Sequence, residues 1–304
     1  MIIMKLIRTG KVKEVYEVNK DILEFVFTDN ISVFDKVIPS SIPFKGETLC
    51  RTAVFWFQLL KTHGFRTHFT EYVPPNRMRV KRFNIIEDYD LIDHTTTNYL
   101  IPLEVICRHY AAGSLLDRVK DGKIKVENLG FPIGHHLKHG ERLPRPFLET
   151  TTKLEKVDRN LDEMEAKNIA GLTDQEYEHI LETVMAIDEI IADESAERLL
   201  VHVDGKKEFG YDESRQLMII DTFGTLDEDR WWDAEAYGSG TVEELSKELI
   251  RQHYRDTGYF DSLMTARKNG LPEPDIPALP AGLIEDVSLL YVEMFERITG
   301  ESFR

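Results

Sequence analysis

The sequence predicts a protein that mixes strands and helices, because both patterns occur in separate segments of its 304 residues. Polar and apolar residues alternate near the N-terminus and again within residues 199–233, which is typical of β-strands. Between these segments, Thr173 and Glu176 form a capping box that opens a helix with apolar residues at helical spacing. A chain of this length can bury a sizeable core, and its length suggests about two lobes.

Composition restricts the class of protein. The net charge of -16 argues against a general affinity for nucleic acid or anionic membranes, so an anionic substrate would need a local cluster of lysine and arginine. The two cysteines, Cys50 and Cys107, suggest neither a disulfide framework nor a metal motif, which fits a reducing compartment. No apolar run is long enough for a signal peptide or a membrane span, so we expect a cytoplasmic protein.

Residues 1–40 have the pattern of β-structure. Lys11 and Lys13 are two positions apart in GKVKEVYEV, so on a strand they share a face. Gly10 precedes them and permits a close backbone approach, which makes these lysines candidates for phosphate contacts. An amphipathic hairpin with solvated lysines is the alternative.

A loop and then a helix are predicted next. Residues 29–48 are rich in proline and glycine, and within them Ser32 and Asp35 are spaced to turn back on the backbone or to contact a ligand. Residues 48–63 form a helix candidate that Gly64 would end. The following segments are strands at residues 66–83, which include Lys81, and an irregular connection at residues 84–98.

A candidate anion site lies in residues 101–118, where an apolar strand runs into a small-residue turn and a helix start. Arg108 lies at the strand end, and Ser114 closes the Ala-Ala-Gly-Ser turn. Helix N-termini with free N–H groups beside an arginine bind anions. Tight packing of the turn, with Arg108 in a surface ion pair, is the alternative. Two loop segments are predicted afterwards, at residues 119–145 and at residues 149–161, the second carrying Lys153.

Residues 199–233 are predicted to form a hairpin with a polar turn. In its first strand Asp204, Lys206 and Glu208 stand at every second position, so all three point to one face. The second strand ends on Asp221, which the hairpin would bring near Glu208. Two carboxylates and a lysine on a rigid sheet suit a Mg²⁺ ion that bridges the phosphates of ATP. A surface hairpin with a charged outer face is the alternative.

The C-terminal part is predicted to be helical. Thr241 and Glu244 have the spacing of a capping box for a helix that ends near Gly258, on which Lys247 and Arg251 would share a face. The remaining segments are a proline-rich connector at residues 271–280 and a last helix at residues 283–299.

Several motifs, in order and over nearly the full length, together resemble the SAICAR synthetase family of purine biosynthesis. GKVKEVY resembles the family's GKxKxVY, DNISVFD with IPFKGE resembles DRISAFD with IPGKGE, and PLEVICRHYAAGS resembles PxEfVvRgyxaGS. Further along, TTKLE resembles TTKxE, VDGKKEFG resembles DxKfEFG, DTFGTLDEDRWW resembles DEvxTPDSSRfW, and YVEMFERITG resembles YxEayexlTG.

The resemblance implies an α+β fold with two lobes. Residues 1–100 would form an N-terminal antiparallel lobe similar to the small lobe of protein kinases, and residues 101–304 a larger mixed lobe, with ATP in the cleft between them. It also implies an ADP-forming carbon–nitrogen ligase. ATP would activate the carboxylate of carboxyaminoimidazole ribonucleotide, and the amine of L-aspartate would displace phosphate to give the amide SAICAR. A homodimer is a further expectation.

The resemblance also assigns roles to residues. On the nucleotide side it implies ATP contacts from Gly10, Lys11, Lys13 and Lys81, a catalytic group of Lys206, Glu208 and Asp221, and Mg²⁺ held by Glu208 and Asp221. On the substrate side it implies that Arg108, Ser114 and Arg230 bind the ribonucleotide phosphate, where bidentate guanidinium groups are favoured, and that Ser32, Asp35 and Lys153 lie near the other reacting groups.

The chain departs from the family patterns at several positions. Asn30 stands where the family has arginine, and Thr222 follows Asp221 where the family has an acidic residue. Glu228 and Asp229 replace two serines, and carboxylates there would repel a bound phosphate. Two alternatives therefore stay open: a paralogue that joins a different carboxylate and amine, and a small-molecule kinase.

Overall fold

Strands and helices occupy separate stretches of the described chain, which is residues 4–304 of a computed structural model. The strands are β1 (Lys5–Thr9), β2 (Lys13–Glu17), β3 (Ile22–Phe27), β4 (Asn30–Val33), β5 (Lys36–Ser41), β6 (Phe69–Val73), β7 (Arg77–Lys81), β8 (Tyr99–Tyr110), β9 (Arg142–Thr152), β10 (Asn160–Leu161), β11 (Leu200–Tyr211), β12 (Leu217–Ile220) and β13 (Arg230–Asp233). The helices are α1 (Lys45–Thr62), α2 (Ser114–Lys120), α3 (Glu163–Ala170), α4 (Asp174–Ala196), α5 (Ala234–Gly238), α6 (Glu248–Asp256), α7 (Tyr259–Asn269) and α8 (Ala281–Thr299). The first three residues of the predicted N-terminal β-structure lie outside the described range.

The N-terminal strands form an antiparallel sheet in the order β1-β2-β3-β7-β6. Phe25 and Phe27 of β3 are buried, as are Met78 and Val80 of β7. Helix α1 packs against these strands on one side and against α8 on the other. The strands predicted at residues 66–83 are confirmed.

The loop predicted at residues 29–48 is largely wrong. Ile31, Val33 and Ile38 are buried, and β4 and β5 pair as a two-stranded ribbon. Pro39 is tolerated within β5 because each strand of such a ribbon has a free edge that needs no hydrogen-bond donor. Helix α1 begins three residues before the predicted start, where the Asp29 carboxylate accepts the Gly46 N–H at 2.9 Å.

The second sheet contains the late hairpin. Its order is β10-β9-β8-β11, and both β12 and β13 pair with the same edge of β11, one with each half of that long strand. Helix α4, opened by the predicted capping box at Thr173, packs on β11. The loops predicted at residues 119–145 and 149–161 are wrong for residues 142–145 and 149–152, which belong to strand β9 beside β8, and for β10. Lys153 directly follows this strand.

The capping box predicted at Thr241 is also wrong. The Leu245 N–H donates to the carbonyl of Trp231 at 2.9 Å, so this backbone pairs with β13 and is not available to a helix. Helix α6 begins only at Glu248, and Lys247 precedes it. Lys247 and Arg251 therefore do not share a helix face.

The two sheets share one continuous hydrophobic core. The backbone also joins them, because the His68 N–H donates to the carbonyl of Ile219 in β12 at 3.1 Å and Thr67 bridges the same residue. This junction holds the N-terminal lobe against the end of the hairpin. A division of the chain at residue 100 stays a prediction. Every helix in the described part of the chain is too short or too polar to span a bilayer.

Candidate active site

A group of charged side chains lies where the N-terminal sheet meets the hairpin. Glu208 of β11 is paired with Ile220 of β12, so Asp221 follows directly beside it. Lys13 reaches across from β2 and contacts the Asp221 carboxylate. Asp221 has a φ of 59°, in the left-handed region that few residues other than glycine adopt. The sequence prediction that Glu208 and Asp221 lie close together is supported by their common contact with Lys153.

Cations and anions alternate through this group, which we name the cleft cluster: Lys13, Glu104, Lys153, Lys206, Glu208 and Asp221. The Lys153 ammonium contacts Glu208 and lies 3.6 Å from Asp221 Oδ2. The Lys206 ammonium lies 2.8 Å from Glu104 Oε1 and 3.0 Å from Glu208 Oε1. Lys206 is also 3.3 Å from Glu228 Oε2. Each of these lysines therefore has carboxylate partners within the described residues.

Burial and neighbouring charges set the protonation of the cleft cluster. Burial raises the pKa of Asp221, but the ammonium groups of Lys13 and Lys153 outweigh burial and hold that pKa well below its ordinary value. Burial raises the pKa of Glu104 to about 7; Lys206 opposes the rise and Glu208 adds to it. Burial lowers the pKa of Lys206, yet the nearby carboxylates raise it well above its ordinary value. Lys206 is thus a permanent cation, whereas Glu104 can change charge near neutral pH.

The cleft cluster fits a hard divalent cation. Glu208 Oε2 is buried, and the group that contacts it is the Lys153 ammonium. The Lys153 ammonium reaches both Glu208 and Asp221, so a metal ion bound at that position would also reach both carboxylates. Carboxylate oxygens are the donors that Mg²⁺ prefers.

A second charged group lies further along the same face of β11, at its pairing with β8 and β13. Asp204 Oδ2 accepts hydrogen bonds from Arg230 at 2.5 Å and from Arg108 at 3.1 Å. Arg108 also donates to Glu149 at 2.6 Å and to Ser114 Oγ at 3.4 Å. The structure therefore brings together the three residues predicted to bind a phosphate, Arg108, Ser114 and Arg230.

Gly113 allows this convergence. It has a φ of 54°, and a Cβ atom built on it would lie 2.6 Å from Arg230 Nη2. Any side chain here would push the guanidinium away from Ser114 and Asp204. The small-residue turn noted in the sequence is therefore needed for the two arginines to lie side by side.

The other predicted residues lie around the N-terminal sheet. Lys11 pairs with Asp35 at 2.7 Å, and both side chains are largely exposed. The Gly10 N–H donates to the Lys13 carbonyl at 2.8 Å, closing the tight turn before β2. Lys81 contacts Glu213 in the hairpin turn. Ser32 lies in β4 and makes no side-chain hydrogen bond within residues 4–304.

Glu228 and Asp229 do not lie against the arginines of the predicted phosphate site. Glu228 pairs with Lys206, and the fully buried Asp229 contacts His202 and Lys207 on the other face of β11. Neither carboxylate contacts Arg108 or Arg230.

Sequence reasoning missed Glu104 and Glu149 as members of the site. Glu104 lies directly opposite Glu208 in the pairing of β8 with β11. Glu149 of β9 lies opposite Ile106 of β8, and its carboxylate forms ion pairs with Arg108 and Arg118. The available signal was a charged residue inside an otherwise apolar strand, as in PLEVIC.

Comparison with known proteins identifies relatives of this chain. The family model for SAICAR synthetase matches residues 6–265. Phosphoribosylaminoimidazole-succinocarboxamide synthase of Thermoplasma volcanium is 50% identical over 300 residues, which are 99% of this chain and 100% of the relative. The solved SAICAR synthase from Saccharomyces cerevisiae, complexed with SAICAR, has a TM-score of 0.75 at 25% identity and covers 99% of this chain and 96% of its own. A SAICAR synthetase (Type-2) in complex with ADP has a TM-score of 0.68 at 28% identity, with 98% and 99% covered.

Fold and site thus define a two-sheet α+β protein with a cluster of paired lysines and carboxylates where the sheets meet. The chain belongs to the SAICAR synthetase family, because the family model matches most of its length and a relative is 50% identical over nearly all of it. The predicted family and the predicted α+β fold are confirmed.

Proposed function

We propose that this chain is an ATP-dependent ligase that joins carboxyaminoimidazole ribonucleotide and L-aspartate to give SAICAR, ADP and phosphate. The observation that carries the proposal is the order of charges on one face of β11. Asp204 accepts hydrogen bonds from the two arginines that are suited to bind a phosphate monoester. Lys206 and Glu208 follow it on the same face of the strand and belong to the cleft cluster. A ribonucleotide whose phosphate is held by the two arginines would place its opposite end at the cleft cluster.

The chemistry follows from the poor reactivity of a carboxylate. A carboxylate oxygen of the ribonucleotide attacks the γ-phosphorus of ATP, ADP leaves, and an acyl phosphate forms. The aspartate nitrogen then attacks the acyl carbon, inorganic phosphate leaves, and the nitrogen loses a proton as the amide forms. Both steps bring anions together, so charge neutralisation and alignment are what the protein must supply.

The lysines are suited to the triphosphate. Lys13 lies on β2 and Lys206 on β11, and both are partly buried, which strengthens their attraction for phosphate oxygens. Gly10 and Lys11 begin the same edge of the cleft. Lys81, which contacts Glu213 in the hairpin turn, would lie on the side of the nucleotide base.

Glu208 and Asp221 would hold Mg²⁺, which supplies charge neutralisation to the transferring phosphoryl group when bound. Lys153 contacts both carboxylates, and with Mg²⁺ bound to them its ammonium would be available to face the substrate carboxylate. Asp35 and Ser32 would lie towards the amine donor, on the rim formed by β4. A cytoplasmic location and a homodimer stay predictions.

An assay of ADP release tests the proposal. Purified protein would be given MgATP and carboxyaminoimidazole ribonucleotide, with each of several amino acids in turn and with the products identified by mass spectrometry. We expect ADP, phosphate and an amide only when L-aspartate is present, and no turnover in EDTA. A stable phosphorylated acceptor without amide would instead identify a kinase, and an amide with another amino acid would identify a paralogous ligase.

A further inference from the structure

A second set of charged residues lies on the reverse face of β11, away from the cleft. We name it the reverse-face cluster: Asp188, His202, Lys207 and Asp229. The fully buried Lys207 ammonium contacts Asp188 on α4 and lies 3.3 Å from Asp229 Oδ2. His202 Nε2 lies 2.7 Å from the same oxygen. A β-bulge between His202 and Asp204 places His202 on this face while Asp204 faces the arginines.

Both carboxylate oxygens of Asp229 are used. Oδ1 accepts the Gly224 N–H at 2.8 Å, and Oδ2 accepts from His202 and Lys207. The carboxylate lies directly over Gly205, since a Cβ atom built there would be 2.0 Å from Asp229 Oδ2. Asp229 is therefore held from three directions, with no room to move towards the strand.

The residues on either side of Asp229 point into the site. Glu228 lies 3.3 Å from Lys206 in the cleft cluster, and Arg230 donates to Asp204 at 2.5 Å. Residues 226–229 form the turn that leads into β13, and within it the Asp229 side chain lies on the opposite face of β11 from Glu228 and Arg230. Fixing Asp229 on one face sets where Glu228 and Arg230 stand on the other.

A metal ion does not explain this cluster. Asp188, His202 and Asp229 are close enough to ligate one, but the Lys207 ammonium already lies between the two carboxylates, where it takes the place of a bound cation.

We propose that Asp229 is a positioning residue, held over Gly205 by Lys207 and His202, that fixes Arg230 against the ribonucleotide phosphate and Glu228 against Lys206. This inference rests on the proposed function. It gives the buried lysine of β11 a role in substrate binding although Lys207 touches no substrate.

The test compares two variants that each remove one carboxylate from Lys207. Asp229→Asn cannot satisfy Gly224, His202 and Lys207 together, because one end of the amide is a donor facing donors. Asp188→Asn is the matched control, since it removes the other partner of the same lysine but lies on α4, away from the loop. Ribonucleotide affinity would be measured by calorimetry without ATP, and KM and kcat by ADP release well below the melting temperature.

We expect Asp229→Asn to weaken ribonucleotide binding and raise its KM by about tenfold, and Asp188→Asn to leave both within about twofold of the parent although it lowers the melting temperature. A folded Asp229→Asn protein with parental affinity, or equal losses in both variants, would overturn the positioning role. If Asp229→Asn does not fold, Gly205→Ala displaces the same carboxylate and must show the same loss of affinity. A parent that binds the ribonucleotide but forms no amide refutes the proposed function and leaves this inference intact.

Discussion

The Lys13 ammonium contacts the Asp221 carboxylate across the junction of the two sheets, although 208 positions separate the two residues in the chain. Lys13 belongs to an N-terminal strand and Asp221 ends the late hairpin. His68, also at the junction, holds the Asp221 carbonyl at 3.3 Å through its Nε2 atom, and its burial lowers its pKa to about 3. A neutral histidine and a cationic lysine therefore both hold Asp221 in its left-handed conformation.

Asp221→Asn should nearly abolish ADP release. Asparagine tolerates the positive φ of 59°, so the backbone is kept while the charge proposed to bind Mg²⁺ is lost. We expect a fall in kcat of about a hundredfold or more, measured at saturating MgATP. Asp256→Asn, on the exposed end of α6, is the control and should keep the parental rate. An Asp221→Asn enzyme of normal activity would remove the metal assignment.

Arg230→Ala should weaken binding of the ribonucleotide. Its guanidinium shares Asp204 with Arg108, and a single ammonium cannot reproduce a bidentate phosphate contact. We expect KM for the ribonucleotide to rise by about tenfold to a hundredfold with KM for ATP little changed, and Arg230→Lys not to restore it. Arg198→Ala removes a similarly half-buried arginine that pairs on α4 and should change neither constant. Equal effects on both substrates would show that the phosphate binds elsewhere.

Glu104 should make the stability of the ligand-free protein depend on pH. Its pKa is raised from 4.5 to about 7, so its contribution to stability is complete below pH 4.5 and is lost as the pH rises through 7. The Glu104→Gln variant does not lose this stability as the pH rises. The free energy of unfolding of the variant, relative to the parent, should therefore increase between pH 5 and pH 8 by on the order of 2 kcal/mol. If urea denaturation gives the same difference in unfolding free energy between variant and parent at both pH values, the assignment is wrong.

Asp227→Asn should destabilise the fold. The buried Asp227 carboxylate accepts hydrogen bonds from Lys45 at 2.8 Å and Tyr291 at 2.6 Å, and Lys247 lies at 3.1 Å. Burial raises the pKa of Asp227, but the two lysines outweigh burial and hold that pKa well below its ordinary value. Removing the charge leaves two buried cations, at a cost of about 3–5 kcal/mol in chemical denaturation.

The matched control for Asp227→Asn is Asp286→Asn on the exposed face of α8, which should stay within about 0.5 kcal/mol of the parent. The prediction is wrong if both substitutions cost the same. Because Asp227 joins α1, the loop after β12 and α8, the loss should also reduce the cooperativity of unfolding.

The late hairpin could be predicted because its signals are local. Alternation placed Lys206 and Glu208 on one face, and a polar turn brought Asp221 beside them. The approach of Lys13 depends on how the two sheets dock, which no local pattern contains; only the family resemblance suggested it. Glu104 was missed for the same reason, since its position opposite Glu208 depends on the register of β8 against β11.

The errors in the fold have similar causes. Thr241 and Glu244 have the spacing of a capping box, but the backbone of residues 243–245 pairs with β13, and these tertiary hydrogen bonds take precedence over the local helix signal. The direction of Asp229 could not be inferred either. A bulge in β11 and the absence of a side chain at Gly205 determine that its carboxylate lies on the reverse face.

The alternation of charges in the cleft cluster means that its lysines are already neutralised before any ligand arrives. Under the proposed function an incoming triphosphate must separate ammonium groups from their carboxylates, and those carboxylates then lack a counter-charge in a partly dry environment. Nucleotide entry is thus an exchange of ionic partners, and it favours a nucleotide that arrives already complexed with a divalent cation over the bare anion.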